Sequence, residues 1–101
     1  MTEEYAQMCC EMIAKVGVAR SSYIEAMKKA EEKVFDVIPD MMAEADKLLG
    51  EAKAVHLGIL QKEASGEDVE VHLLLAHAED LIISTETIKV LCEHIINLYK
   101  K

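Results

Sequence analysis

The sequence predicts an all-α protein, an antiparallel up-down-up three-helix bundle that associates with copies of itself. Three observations lead there. The composition favours helix: 4 Gly and 1 Pro in 101 residues, 51% apolar side chains but only 4% aromatic, with Ala, Leu, Met, Glu and Lys abundant, residues that lose little freedom in a helix. Apolar positions recur at three- and four-residue steps through three long segments. The last segment is apolar over an arc too wide for one chain to cover.

The first segment, "TEEYAQMCCEMIAKVGVARSSYIEAMKKAEEK", opens with Thr2 as N-cap and acids in the first turn, where they meet the positive end of the helix dipole. Tyr5, Met8, Cys9, Met12, Val16, Ala19, Tyr23, Ala26 and Ala30 form its apolar stripe.

The second segment starts near Asp36, with Pro39 in the first turn, where a missing N–H leaves no bond unmade. Val37, Ile38, Met41, Met42, Ala45, Leu48, Leu49, Ala52, Val55, Ile59 and Leu60 form its stripe. "SGED" then ends the pattern: Gly66 supplies a positive φ and Asp68 is the expected cap of the third helix.

The third segment is expected to run from about Asp68 to Lys100. At about 100° per residue, Glu79, Glu86, Glu93 and Asn97 gather on one side, with Lys89 at its edge, as the solvent face. The apolar arc, from Leu73 and Leu74 through Leu81, Ile83, Ile88, Val90, Leu91, Cys92 and Ile95 to Leu98 and Tyr99, spans about 200°, twice the ~100° stripe of a core-facing helix. Two helices of the same chain cover part of it. A long exposed apolar remainder is seldom tolerated by a monomer, so the third helix is the expected oligomer interface.

The residues form a single domain over 1–101. With 19 acidic against 11 basic side chains, net charge −8, the chain is a poor match for nucleic acid or an anionic membrane surface. No apolar run is long enough to insert in a bilayer, and the N-terminal stretch lacks the apolar core of a signal peptide. Cys9, Cys10 and Cys92, without a C-x-x-C pair, read as reduced, mostly buried thiols. A cytoplasmic location follows.

His77 and Asp80 lie near the middle of the wide arc, with Ser84 further along. A lone histidine on an apolar helix face is ordinarily a core residue whose ring nitrogens find local partners. The i, i+3 spacing, however, puts Asp80 on the same face. Two ionisable groups together in an apolar setting mark a candidate site. His56, His72 and His94 read as surface or boundary residues, and Ser84 as locally hydrogen-bonded. No zinc or di-iron spacing and no phosphate-binding glycine loop is present. On the residues alone two readings stand: a functional histidine, or a non-catalytic oligomeric adaptor in which His77 is structural.

Three stretches then carry a resemblance: "GVARSSYIEAMKKAEE" (17–32), "EASGED" (63–68) followed by "HAED" (77–80), and the terminal "IINLYKK" (95–101). In order and over nearly the whole chain they resemble the IIA component of the lactose/cellobiose class of the bacterial phosphoenolpyruvate-dependent sugar phosphotransferase system. The resemblance implies a homotrimer of three-helix bundles and a phosphotransferase component. It implies that His77 accepts a phosphoryl group from the phosphocarrier HPr and passes it to a IIB component. It also implies that Asp80 meets its symmetry mates on a threefold axis, where a divalent cation such as Mg²⁺ can be held. The family's signature, His-(Ala/Gly)-Gln-Asp-His-Leu-Met, is altered here: Glu79 stands for the Gln and Leu81 for the second His. On the second helix, where the family often reads Glu-Ala-His-x-x-Gln-Thr, Lys53, His56 and Leu57 stand for the His, Gln and Thr. A carboxylate at Glu79 in place of a neutral amide is expected to weaken stabilisation of a phosphohistidine, and Lys53 is the candidate to offset it.

Overall fold

The structure is a computed structural model that describes residues 2–101: three helices, α1 (Glu3–Glu31), α2 (Ile38–Ala64) and α3 (Leu73–Lys100). They form a rod of about 50 × 22 × 19 Å. Contacts of distant residues fix the directions. Tyr5 reaches Glu70 and Lys33 reaches Tyr99, so α1 and α3 run parallel; Lys15 meets Glu51 and Tyr23 meets Asp46, so α2 runs antiparallel to both.

The ends of α1 follow the expected chemistry. Thr2 Oγ1 accepts the Tyr5 N–H at 3.1 Å, and Glu3 and Glu4 occupy the first turn. The helix stops on a double backbone closure, Val34 N–H to Lys29 C=O and Lys33 N–H to Ala30 C=O. That closure needs a left-handed residue, and Lys33 takes it at φ 62°. Its ammonium donates to the Tyr99 carbonyl at 2.9 Å and lies over the Tyr99 ring, so tertiary contact holds the uncommon backbone in place. α2 ends by the same closure, with Gly66 at φ 95° as the sequence predicts.

The start of α3 differs from expectation. Asp68 does not cap it; residues 67–72 have no regular structure and the helix begins at Leu73, with His72 at the cap position and no side-chain cap bond. The reason is tertiary. Val69 packs half-buried against the core, and the Tyr5 hydroxyl donates to the Glu70 carbonyl at 2.7 Å. His72 sets its ring edge against Tyr5 and a ring nitrogen 2.8 Å from the Glu70 carboxylate. These contacts hold the segment extended and delay the first helical turn.

Every α1 residue from Cys9 to Ala30 named in the predicted stripe is buried. Of the α2 stripe, Ile38, Ala45, Leu49, Ala52 and Ile59 are buried, whereas Val37 and Leu60 are exposed. Cys10, expected in the core, is exposed; it lies one position off the buried stripe of its helix. α1 is the common partner: it packs extensively against both other helices, while α2 and α3 touch only sparsely. A groove therefore opens between α2 and α3, lined by Leu57, Leu60, Ile82 and Ile83.

Across the middle of the bundle the fully buried Tyr23 ring on α1 aims its hydroxyl at Asp46 of α2, donating at 2.5 Å, and Lys89 of α3 reaches the same carboxylate oxygen at 3.2 Å. All three helices are pinned at that level. The Cys92 thiol donates to the Tyr23 carbonyl at 3.2 Å.

Candidate functional site

α3 carries the candidate site, and the tertiary structure reassigns its faces. The buried side is Leu75, Ala78, Ile82, Thr85, Cys92 and Ile96. The side expected to face solvent is partly used against α2: Glu79 and Glu86 are half-buried and bonded to α2 side chains, and only Glu93 and Asn97 stay exposed. The opposite side, which holds His77 and Asp80, points away from the chain's own core, and both residues are exposed. Around them run Leu73 (86% exposed), Ile83 (65%), Leu91 (54%) and Leu98 (65%), with Val90 beside them.

This surface has a regular register. His77, Asp80, Ser84, Thr87, Leu91, His94 and Leu98 follow alternating steps of three and four residues, the seam spacing with which one helix packs along another. Leu73 continues it at the N-terminal end. The part of the wide arc that the bundle leaves uncovered is thus one continuous strip along the length of α3.

His77 is not a satisfied core histidine. Among the described residues no hydrogen bond or ion pair holds its ring. An exposed imidazole without an internal partner has both ring nitrogens available, one as nucleophile in the neutral form. Asp80, one turn along the same strip, is also without an ion-pair partner among the described residues. No group of three or more His, Cys, Asp or Glu side chains within the described residues is arranged to hold a metal ion. Ser84 donates to the Leu81 carbonyl at 3.2 Å, the local role expected of it.

The positions that depart from the family signature lie mostly on the other flank of α3. His56 Nε2 sits 2.9 Å from Glu79 Oε1, so two of the altered positions contact each other across the α2–α3 groove. The sequence reading treated His56 as a boundary residue and missed this pair. The signal was available: both positions carry Gln in the family pattern, and both are ionisable here. Lys53, the candidate to offset the Glu79 charge, lies 3.4 Å from Glu86 instead. Leu81 is half-buried against the core.

The two buried cysteines, Cys9 and Cys92, are unsuited to nucleophilic work. Burial pushes the Cys92 thiol up to about 11, helped by the nearby Glu93 and Asp46 carboxylates, and burial likewise raises Cys9. A thiol held protonated at neutral pH is inert. Burial, with the hydrogen bond to Asp46 second, raises the Tyr23 phenol far above its ordinary range.

A family model described as "PTS system, Lactose/Cellobiose specific IIA subunit" matches residues 7–100. The chain is 34% identical over 99 residues to the PTS system lactose-specific EIIA component of Streptococcus mutans serotype c, covering 98% of this chain and 95% of that one. It is 34% identical over 100 residues to the PTS system oligo-beta-mannoside-specific EIIA component of Bacillus subtilis strain 168, covering 99% and 89%. Among solved structures, the PTS cellobiose-specific enzyme IIA from Bacillus anthracis superposes with a TM-score of 0.91 at 34% identity, covering 99% of this chain and 91% of that one. PtcA from S. mutans superposes with a TM-score of 0.94 at 31% identity, covering 100% and 99%.

Proposed function

Because the chain belongs to the lactose/cellobiose-specific IIA family of the sugar phosphotransferase system, we propose that it is a phosphoryl carrier that accepts phosphate from HPr on His77 and passes it to a IIB component. The observation that carries this reading is the state of His77: exposed on α3 with no internal partner for its ring. A structural histidine would be buried and bonded.

The chemistry asks little of the chain beyond position. In the accepting step a neutral imidazole nitrogen of His77 attacks phosphorus; a new N–P bond forms as the bond from phosphorus to the donor breaks. In the second step His77 is the leaving group and the IIB acceptor takes the phosphoryl group. The exposed apolar strip around His77 favours water exclusion when a partner or a second copy covers it, which protects the N–P bond from hydrolysis. The sugar itself never meets this subunit in the proposed scheme.

The same strip supports the homotrimer. Leu73, Ile83, Val90, Leu91 and Leu98 are exposed on one helix, and threefold association along α3 would bury them together. Asp80, on the strip, would then meet its two copies. Three carboxylates converging in a poorly solvated place repel unless protons or a cation intervene, and Mg²⁺ with oxygen donors matches that set. Asp80 has an organising role in this scheme and no part in the transfer. No helix of the described residues is long and apolar enough to cross a membrane, which accords with a carrier that works in the cytoplasm beside the transporter.

The test is transfer of ³²P from phosphoenolpyruvate through Enzyme I and HPr to wild type and to His77→Ala. Acid-labile, base-stable label on wild type that is absent from the variant is the expected result. A folded wild type that takes no label from active HPr of the same organism would sink the carrier reading and leave a non-catalytic oligomeric adaptor.

A further inference from the structure

The His56–Glu79 contact joins two positions at which this chain departs from its family's pattern, in the α2–α3 groove on the flank of α3 away from His77. We propose that His56 is a positioning residue for phosphoryl transfer at His77: it holds the Glu79 carboxylate in the α2–α3 groove, away from the surface that receives the phosphoryl group. The proposal rests on the carrier reading of the preceding subsection.

The geometry carries it in three steps. Glu79 follows His77 by two residues, so the two side chains leave α3 on roughly opposite sides but start only about 5–6 Å apart along the backbone. A glutamate has enough freedom to swing along its helix. Left alone at the edge of an apolar groove, its carboxylate moves toward water, and a swing out of the groove onto the exposed face of α3 shortens its distance to His77. Its hydrogen-bond partner is the His56 ring.

His56 answers the need of that carboxylate. An ionised carboxylate only accepts, so a ring nitrogen 2.9 Å from Oε1 must carry the hydrogen. The side chains are 22% and 36% exposed, sheltered enough for the bond to hold and open enough for the pair to break when one member is removed. The inward placement of Glu79 is felt on α1. The Tyr5 hydroxyl and the Cys9 thiol are raised first by burial, and the Glu79 charge adds to both. The neighbouring cation does not do this work, because Lys53 lies against Glu86.

Electrostatics then gives the sign. A phosphoryl group arriving on His77 brings negative charge. An untethered Glu79 opposes it; a Glu79 held to His56 opposes it less, since it is further away and its charge is partly met by the ring N–H. A tether that exists only to restrain a charge has an asymmetric mutational signature. Losing the tether harms transfer. Losing the charge does not, and losing both does not. A clamp that merely joins α2 to α3 would be symmetric, since removal of either partner breaks it.

The experiment measures the initial rate of ³²P transfer from phospho-HPr to wild type, His56→Ala, Glu79→Ala and the double variant, with His77→Ala as the blank. His56→Ala is expected to slow phosphorylation about 1.6- to 2.5-fold at low salt, the effect of moving one unit charge from about 15 to about 10 Å from the phosphoryl group at an effective dielectric of about 20–40. The deficit should shrink as ionic strength rises. Glu79→Ala and the double variant, which lose the charge altogether, should be about 2.5- to 6-fold faster than wild type by the same reasoning. Equal losses in both single variants with no recovery in the double, or a salt-independent loss in His56→Ala, overturn the proposal in favour of a structural clamp. An undiminished rate in His56→Ala overturns it as well. These outcomes leave the carrier reading standing, whereas an unlabelled wild type overturns that reading and this proposal together. Far-ultraviolet circular dichroism on each variant separates a rate effect from misfolding. Should His56→Ala fail to fold, His56→Leu, which keeps the side-chain volume, replaces it with the same expectations.

Discussion

Tyr23→Phe tests whether the pin across the bundle is worth what its geometry implies. The substitution keeps the fully buried ring and removes only the hydroxyl that donates to Asp46 at 2.5 Å. A hydrogen bond to a charged group contributes about 1.5–3 kcal/mol. Asp46 keeps Lys89 at 3.2 Å, and its side chain is 43% exposed, so water replaces the lost donor and no acceptor is orphaned. The net loss should therefore sit at the low end, about 1–2 kcal/mol, or a fall in Tm of roughly 5–15 °C for a domain of this size. Thermal unfolding followed by circular dichroism at fixed protein concentration reads it.

A second limb of the same experiment uses pH. In the folded chain burial and Asp46 keep the Tyr23 phenol protonated well beyond its ordinary 10.0. Unfolding releases it to ionise near that value, so above pH 10 the native state holds a proton that the unfolded state has lost. Stability must then fall as pH rises. Cys92 acts in the same direction between 9.0 and about 11, worth about 2–3 kcal/mol across that window. In Tyr23→Phe the Cys92 part remains and the further loss above pH 10 is removed. A variant with the wild-type Tm and an unchanged alkaline limb would refute the reasoning, because the hydroxyl would then contribute nothing that water does not supply.

Three other expectations follow, the first from the structure and the other two from the proposed association along α3. Thr85 is fully buried and its hydroxyl has no hydrogen-bond partner among the described residues, so Thr85→Val should raise stability by about 1 kcal/mol in chemical denaturation; a loss of that size would show that the hydroxyl is satisfied. Leu91→Glu places a charge on the exposed strip of α3, where burying each carboxylate costs several kcal/mol. Sedimentation should report single chains that are still helical, and an unchanged oligomer mass would remove the strip from the interface. Asp80→Asn should abolish the effect of Mg²⁺ on assembly: a chelator should lower the Tm of wild type and leave the variant unmoved, and equal responses would exclude Asp80 as the cation's ligand.

Much of the fold was legible in the sequence. The α1 stripe from Cys9 to Ala30 was readable because a long helix with one buried face writes a three-four rhythm that no other element shares. Thr2 and Gly66 were readable because a cap and a left-handed closure require particular chemistry at one position. Asp68 was misread as a cap because it satisfies the local rule; the contacts of Val69 and Tyr5 that overrule it come from residues distant in sequence. The breadth of the α3 arc announced that a part would stay uncovered. It did not say which part, since a 200° arc can be divided in several ways.

His77 and Asp80 stood out as a candidate pair from local pattern, because their spacing and apolar surroundings are properties of one helix. The His56–Glu79 pair was missed for the opposite reason: its members are 23 residues apart, and no periodicity links positions on two antiparallel helices. The amino-acid sequence by itself determined the helices, their caps and the presence of an unusual histidine, each set by interactions within a few residues. Only the tertiary structure decided which face of α3 is buried, which acids are tied to α2 and that His77 lies free at the surface. Those outcomes depend on the rotation of one helix against its neighbours, which is settled by the packing of all three together.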